Sequence, residues 1–171
     1  MSKYGFLNER MITMNHYLNA IKVMETLFSK DVQFALATSV NDYPTVRYVD
    51  TCYDDGCFYV VTYELSRKCQ AIKKNPHVSL CHRQMYSFSG QAVNLGHPLK
   101  KENEAIREKL TKAFEPWYFK HNDETDQYMC YLKIVLDNGF VYQNGTGYRI
   151  NFDKKTAIAF PFQFDIALTD D

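Results

Sequence analysis

The chain has 171 residues, and 20 Lys and Arg balance 20 Asp and Glu. The balanced charge argues against a nucleic-acid-binding protein that depends on net positive charge. No apolar run reaches the length of a membrane span, and no apolar segment typical of a signal peptide follows the N-terminus, so we expect a cytoplasmic protein with no membrane partner. The length is typical of one domain with a buried core, and we expect a single domain over 1–171 with its core at about 16–152.

Apolar periodicity and turn residues predict the elements along the chain. In chain order they are a helix at 16–30, strands at 32–40, 45–53 and 57–63, a short helix at 66–74, strands at 78–83 and 87–95, a helix at 100–114, and strands at 128–136, 140–143 and 148–152. Residues 1–14 are interpreted as an arm and 121–127 as a surface loop, and the tail from Asp153 is not assigned.

The strands are joined by short turns, such as 41–44, Asp55-Gly56 and 137–139. Short turns of this kind predict antiparallel neighbours. Six to eight such strands with two or three helices predict a small antiparallel β-barrel with flanking helices. A barrel of this size that closes only partly needs another surface to cover it, which favours a homodimer.

The five cysteines lie at positions 52, 57, 69, 81 and 130, and no pair of them forms a C-x-x-C. Cys81-His82 has no second half at zinc-finger spacing. We therefore expect free, mostly buried thiols in a reducing compartment, and no metal site.

Three cations and a hydroxyl predict a phosphate-binding corner. Ser66, Arg67 and Lys68 open the short helix, and Arg47 lies on a neighbouring strand. Helix N-termini offer unpaired N–H groups and a positive dipole end, and Arg and Lys add charge-assisted donors. Thr62 could add a hydroxyl at the end of the third strand. The alternative is that each cation is simply a solvated side chain.

Other motifs point to no further chemistry. The sequence contains neither G-x-G-x-x-G nor G-x-x-x-x-G-K-[ST], and it shows no H-E-x-x-H. We name no catalytic residue.

Four segments resemble the pyridoxamine 5′-phosphate oxidase-like flavoproteins: P-T-V-R-Y-V from Pro44, F-Y-V-V-T-Y-E-L-S-R-K from Phe58, K-K-N-P-H-V-S-L from Lys73, and S-G-Q-A from Ser89. The resemblance covers Val32 to Leu95 and extends more loosely to Phe152. It implies a split β-barrel homodimer that binds FMN at the subunit interface.

The resemblance also implies a set of cofactor-binding residues. Arg47 and the Arg67-Lys68 pair would hold the FMN phosphate, with hydrogen bonds from Ser66 and Thr62. The remaining implied contacts are the backbone of Tyr48 and Val49 along the isoalloxazine edge, Val61 in the pocket wall, and Gln84 near a position where the family often has Gln, although Met85 competes for that register.

Two departures separate the chain from the oxidase itself. Cys52 stands where that enzyme has a substrate-contacting Lys, and the Arg-rich end with R-L-x-P is absent, since this chain ends A-L-T-D-D. The leading hypothesis is an FMN-dependent oxidoreductase acting on an unknown small molecule. The alternatives are the oxidase proper and a non-enzymatic protein that binds flavin or another cofactor, with a deazaflavin or haem left open.

Overall fold

The computed structural model describes the backbone of residues 3–163 and the side chains of residues 11–163. The helices are α1 (Lys3–Phe28), α2 (Arg67–Lys74), α3 (Glu104–Ala113, preceded by a 3₁₀ turn at Lys101–Asn103) and α4 (Tyr118–His121). The strands are β1 (Val32–Val40), β2 (Tyr43–Asp54), β3 (Cys57–Tyr63), β4 (His77–Cys81), β5 (Ser87–Gly96), β6 (Met129–Gln143), β7 (Thr146–Asn151) and β8 (Thr156–Pro161).

Six strands form a closed antiparallel barrel. They follow one another in the order β3-β2-β1-β4-β5-β6, and β3 pairs with β6 to complete the ring. The second half of β6 leaves the barrel and pairs with β7, which pairs with β8. The prediction of an antiparallel β-barrel with flanking helices is confirmed. Within residues 3–163, no helix is both long enough and apolar enough to cross a membrane.

Aromatic side chains fill the barrel. Phe28 at the end of α1 packs against Phe34, Phe58 and Phe88, with ring centroids 5.4–5.8 Å away. Burial of such rings is a major apolar contribution to stability. The predicted strand at 32–40 is confirmed as β1, in which Phe34, Leu36 and Thr38 are buried and their neighbours are less so. A second cluster beneath α3 and α4 contains the buried Leu110 and Phe114.

The predicted N-terminal arm is wrong for residues 3–14, because α1 begins at Lys3. Asn15, directly before the predicted start of the helix at 16, lies inside α1. The stretch contains no proline, and its one glycine costs a helix only about 1 kcal/mol. The apolar side chains at helical spacing form one packed face of α1, since Met24 and Phe28 are buried and Tyr17 and Ile21 pack against the core.

The predicted turn at 137–139 is also wrong, because β6 runs through it as one strand. Ser89 pairs with Asn138 and Gly90 with Leu136, so Asp137 is the extra residue of a β-bulge. Gly139 is needed for close packing here, because a Cβ at this position would lie 2.5 Å from Cδ1 of Phe88. The sequence around Gly139 predicts a turn, but the glycine is explained by its close contact with Phe88 on another strand.

Smaller differences occur at other element ends. The turn before β2 is only Asn41-Asp42, with φ of 50° and 64°, so Pro44 lies within the strand. Such positive φ values at both central residues are typical of a two-residue hairpin turn. His121 ends α4 instead of opening the predicted loop, and β8 falls in the tail that was not assigned. A four-residue helix is too short to show a periodic signal.

Candidate functional site

Ser66 fixes where α2 begins. Its backbone is extended, with φ −64° and ψ 149°, and its Oγ accepts a hydrogen bond of 3.4 Å from the N–H of Cys69. Serine is a favourable N-cap because its hydroxyl satisfies an N–H that has no partner within the helix. Arg67 and Lys68 are therefore the first two helical residues, where the helix dipole favours a bound anion.

Arg47 is held by two threonines on β1 and β2. Its Nη1 donates to Thr38 Oγ1 over 2.8 Å and to the carbonyl of Leu36 over 3.2 Å. Its Nη2 donates to Thr45 Oγ1 over 2.6 Å, and the two hydroxyls lie 3.0 Å apart. The guanidinium is thus fixed in one orientation before any ligand binds.

These contacts leave a defined part of Arg47 for a ligand. A guanidinium has five N–H donors, and both donors of Nη1 and one donor of Nη2 have the partners named above. Within the described residues, Nε and the second N–H of Nη2 have no partner. Two N–H groups on one edge of the guanidinium can bind two oxygens of a phosphate or carboxylate side by side.

Arg47 and the start of α2 line the same cavity, which has a volume of about 830 Å³. Its cationic lining residues are Arg47, Arg67, Lys68 and Lys74, and no Asp or Glu among the described side chains of residues 11–163 lines it. The cavity wall also includes the exposed Tyr43, Val46 and Leu65. A polar, positively charged end and an apolar wall suit an amphipathic anion.

The electrostatics of the cavity are those of concentrated positive charge. Burial lowers the pKa of Lys68 below its ordinary value, and the nearby Arg47 lowers it further, although Cys69 has an opposing effect. Burial also lowers the pKa of Arg47. Because both shifts reflect the cost of holding a cation there, a bound anion would relieve that cost.

The structure thus brings four of the predicted site residues together: Arg47, Ser66, Arg67 and Lys68. The other five do not line this cavity. Tyr48 is 72% exposed on β2, Val49 and Thr62 are buried in the barrel, Val61 packs against the second cluster, and Gln84 is exposed between β4 and β5.

Thr38 and Thr45 are the functional candidates that the sequence reasoning did not single out. Thr38 is 2% exposed and lies on the core-facing side of β1. A polar residue on an otherwise apolar strand face needs a buried partner, and this was the available signal. The identity of the partner depends on the pairing of Thr38 with Thr45 across the β1–β2 hairpin.

Cys52, which the resemblance aligns with a substrate-contacting Lys of the oxidase, is 4% exposed. Its thiol donates to the carbonyl of Ser29 over 3.3 Å, and burial raises its pKa to about 11. The side chain is therefore neutral and enclosed. The C-terminal end that departs from the oxidase lies outside the described residues from 164 onward.

The fold and the cavity define a small antiparallel β-barrel with a cationic corner beside a helix N-terminus. A family model described as pyridoxamine 5′-phosphate oxidase matches residues 21–137, so the chain belongs to this family. No curated protein matches the chain.

Solved structures support the fold. General stress protein 26 of Bacillus anthracis is 20% identical, covers 70% of this chain and 90% of its own, and has a TM-score of 0.55. An FAD-binding protein of Mesorhizobium loti is 15% identical with coverages of 70% and 91% and a TM-score of 0.55. A heme-binding protein of Mycobacterium smegmatis is 13% identical with coverages of 74% and 55% and a TM-score of 0.56.

Proposed function

We propose that this protein is a single-domain flavoprotein that binds FMN through its phosphate. The observation that carries the proposal is the guanidinium of Arg47, which is fixed by Thr38 and Thr45 and keeps two N–H donors without a partner among the described residues. This edge of Arg47 and the N-terminus of α2 line one cavity. The FAD-binding protein of Mesorhizobium loti, which has the same fold, supports a flavin as the ligand.

The residues present fit this ligand. A phosphate dianion matches a pocket end whose described lining has four cations and no carboxylate. The volume of about 830 Å³ lies in the range of pockets for molecules of this size, roughly 300–1,000 Å³. In this proposal Arg47, Arg67 and Lys68 bind the phosphate, with hydrogen bonds from Ser66. The isoalloxazine then follows the backbone of Tyr48 and Val49, with Val61 in the pocket wall, as the family resemblance implies. The resemblance also implies a hydrogen bond from Thr62 to the phosphate, and it places Gln84 near a position where the family often has Gln.

The proposed activity is oxidoreduction of a small molecule. Bound flavin supplies hydride and electron transfer, so the protein's part is to bind the cofactor, orient it and exclude water. The phosphate corner anchors one end of the cofactor, and no side chain needs to act as acid or base. The five cysteines are free, which favours a reducing compartment, and we place the protein in the cytoplasm.

We further propose a homodimer with the cofactor at its interface. Strand β2 pairs with β3 only from Cys52 to Asp54, so the preceding part of that edge has no strand partner within residues 3–163. The same region exposes Tyr43, Val46 and Tyr48 at 79%, 65% and 72%. An open edge beside exposed aromatic and apolar side chains is typical of a surface that a second subunit covers.

Two other functions are weaker candidates. The oxidase proper needs a cation that contacts its phosphorylated substrate, and the buried, neutral Cys52 replaces that cation. Haem is a candidate because a heme-binding protein shares the fold. However, the described lining of the cavity contains no His, Cys or Met to bind the iron axially, and Tyr43 is its one phenol.

The test is to identify the chromophore and compare two ligands. The absorption spectrum of the purified protein and the mass of any released chromophore distinguish flavin, deazaflavin and haem. Fluorescence titrations of the apo-protein with FMN and riboflavin then isolate the contribution of the phosphate. We expect FMN to bind well over tenfold more tightly, because charge-assisted hydrogen bonds contribute about 1.5–3 kcal/mol each. Equal affinities would contradict the proposed phosphate site.

A further inference from the structure

The cavity at the phosphate corner extends beyond the corner itself. On β2 its lining includes Tyr43, Val46 and Arg47, so its wall runs from Arg47 toward the start of the strand. A strand rises about 3.3 Å per residue, which places Tyr43 about 13 Å from Arg47 along β2. The backbone that the proposed function assigns to the isoalloxazine, at Tyr48 and Val49, lies on the other side of Arg47 in the strand. The cavity therefore offers space past the phosphate, in the direction away from the flavin ring.

Helix α2 lines the same cavity along its length. Its lining residues include Arg67, Gln70, Ala71 and Lys74, and their spacing of i, i+3, i+4 and i+7 places them on one face of the helix. At a rise of about 1.5 Å per residue, Lys74 lies about 10 Å beyond Arg67. Lys74 is exposed, and within residues 11–163 it has no ion pair and no side-chain hydrogen bond. An unpaired cation thus lines the cavity two helical turns from the start of α2.

The neighbouring Lys73 provides a matched comparison for Lys74. Both lysines are in the last turn of α2, where the negative end of the helix dipole favours a cation. The dipole alone would therefore explain either residue. Lys73, however, lines a different cavity of about 340 Å³, together with Ala92 and Asn94. Of the two lysines, Lys74 is the one that lines the cavity of the phosphate corner.

The same cavity also has an apolar wall. Tyr43, Val46 and Leu65 line it with exposed side chains, and Leu65 comes from the connection between β3 and α2 instead of from β2. A tyrosine ring can stack on the flat face of a nucleobase, and aliphatic side chains can pack against the edges of the base. A second subunit is the alternative cover for Tyr43 and Val46. It does not by itself account for the unpaired Lys74 in the same cavity.

We propose that this extension of the cavity is a subsite for an adenosine phosphate, joined to the flavin phosphate as in FAD. The subsite rests on the proposed function, because the flavin phosphate must occupy the corner at Arg47, Arg67 and Lys68. Lys74 then binds the second phosphate through its long, flexible side chain, and Tyr43 stacks on the adenine. A single phosphate contacts the cations at one end only, whereas a diphosphate distributes its charge along the cationic face of α2. A separate adenosine phosphate beside FMN would have the same chemistry.

Calorimetric titrations of the full-length protein test the subsite. The apo-protein is titrated with FMN and with FAD, and the FMN-loaded protein is titrated with AMP. We expect FAD to bind roughly tenfold or more tightly than FMN, because it adds a charge-assisted contact and a stacked base to the contacts of FMN. Binding of AMP to the FMN-loaded protein without a preference for FAD would also support the subsite and assign it to a separate nucleotide.

The opposite results are separable from a failure of the proposed function. FAD binding no tighter than FMN binding, together with no binding of AMP, would overturn the subsite. If FMN in that case still binds more tightly than riboflavin, the phosphate corner stands without the subsite. If neither FMN nor FAD binds, the proposed function and the subsite are both refuted.

Variants of the lining residues locate the subsite. Lys74→Ala and Tyr43→Ala should each weaken FAD binding by roughly fivefold or more and leave FMN binding unchanged, whereas Tyr43→Phe keeps the ring and should keep the affinity for FAD. Lys73→Ala should affect neither ligand. Equal losses in Lys73→Ala and Lys74→Ala would indicate general charge attraction and overturn the role of Lys74. Thermal melts and light scattering accompany each variant. A Tyr43→Ala protein that becomes monomeric and loses affinity for FMN and FAD alike would assign the apolar wall to the subunit interface and refute the subsite.

Discussion

Replacing Thr38 by Val tests whether the fixed orientation of Arg47 matters for ligand binding. Valine has nearly the same shape as threonine but cannot accept the 2.8 Å hydrogen bond from Nη1 of Arg47. A hydrogen bond to a charged group contributes about 1.5–3 kcal/mol. Thr45 and the carbonyl of Leu36 still hold the guanidinium, so the loss should be smaller than that full range.

We expect Thr38→Val to weaken FMN binding by about 1–2 kcal/mol, which is roughly 5- to 30-fold in Kd. Riboflavin has no phosphate, so its affinity should not change. Thr38→Ser keeps the hydroxyl and should restore most of the affinity for FMN. The assay is a fluorescence titration of each apo-protein with both ligands, and a thermal melt of each checks the fold.

Two results would refute this reasoning. A parallel loss of FMN and riboflavin affinity would mean that Thr38 has a general structural role. Unchanged FMN affinity would mean that Arg47 does not depend on this hydroxyl or does not bind the phosphate.

Four further predictions test the phosphate site, the dimer and the enzymatic activity. Arg67→Ala should weaken FMN binding while the apo-protein stays folded. The control Lys73→Ala removes an exposed cation from the same helix and should leave FMN binding unchanged. FMN titrations and thermal melts of both variants check this. FMN affinity should fall as pH rises toward the lowered pKa of Lys68, because the cation is then lost, and Lys68→Arg should abolish this decline. Light scattering should show a dimer, and Tyr48→Glu should shift it toward a mass of about 20 kDa. FMN-loaded protein should form little pyridoxal phosphate from pyridoxine phosphate, and turnover on the order of 1 s⁻¹ or faster would contradict this.

Apolar alternation and turn residues predicted those strands and turns that depend on residues close together in the sequence. The alternation in 32–40 gave the buried face of β1, and Asp55-Gly56 gave the β2–β3 turn. Continuity of β6 was not predictable, because Gly139 is explained by the ring of Phe88 on another strand. Turn residues and apolar periodicity can be recognised in the sequence, but the close packing of one strand against another cannot.

The structure brings Arg47 close to α2 through a different strand from the one we expected. Arg47 was expected near α2 because β2 and β3 are hairpin neighbours, but those strands pair only from Cys52 to Asp54. The helix packs on β1, and Arg47 reaches across β1 through its bonds to Thr38 and Leu36. The cations could be named from the sequence, whereas the hydroxyls that orient Arg47 depend on strand register.

Closure of the barrel by β3 and β6 determines the order in which the chain can fold. Their register, from Cys57 opposite Val135 to Tyr63 opposite Met129, joins segments that are far apart in the sequence. Such non-local pairing forms slowly, because the entropy of the intervening loop is lost first. During synthesis, β1 to β5 would leave the ribosome before β6 exists to cover Phe58 and Phe88. The open, five-stranded sheet then exposes its aromatic interior, and this interval is when a chaperone would be needed most.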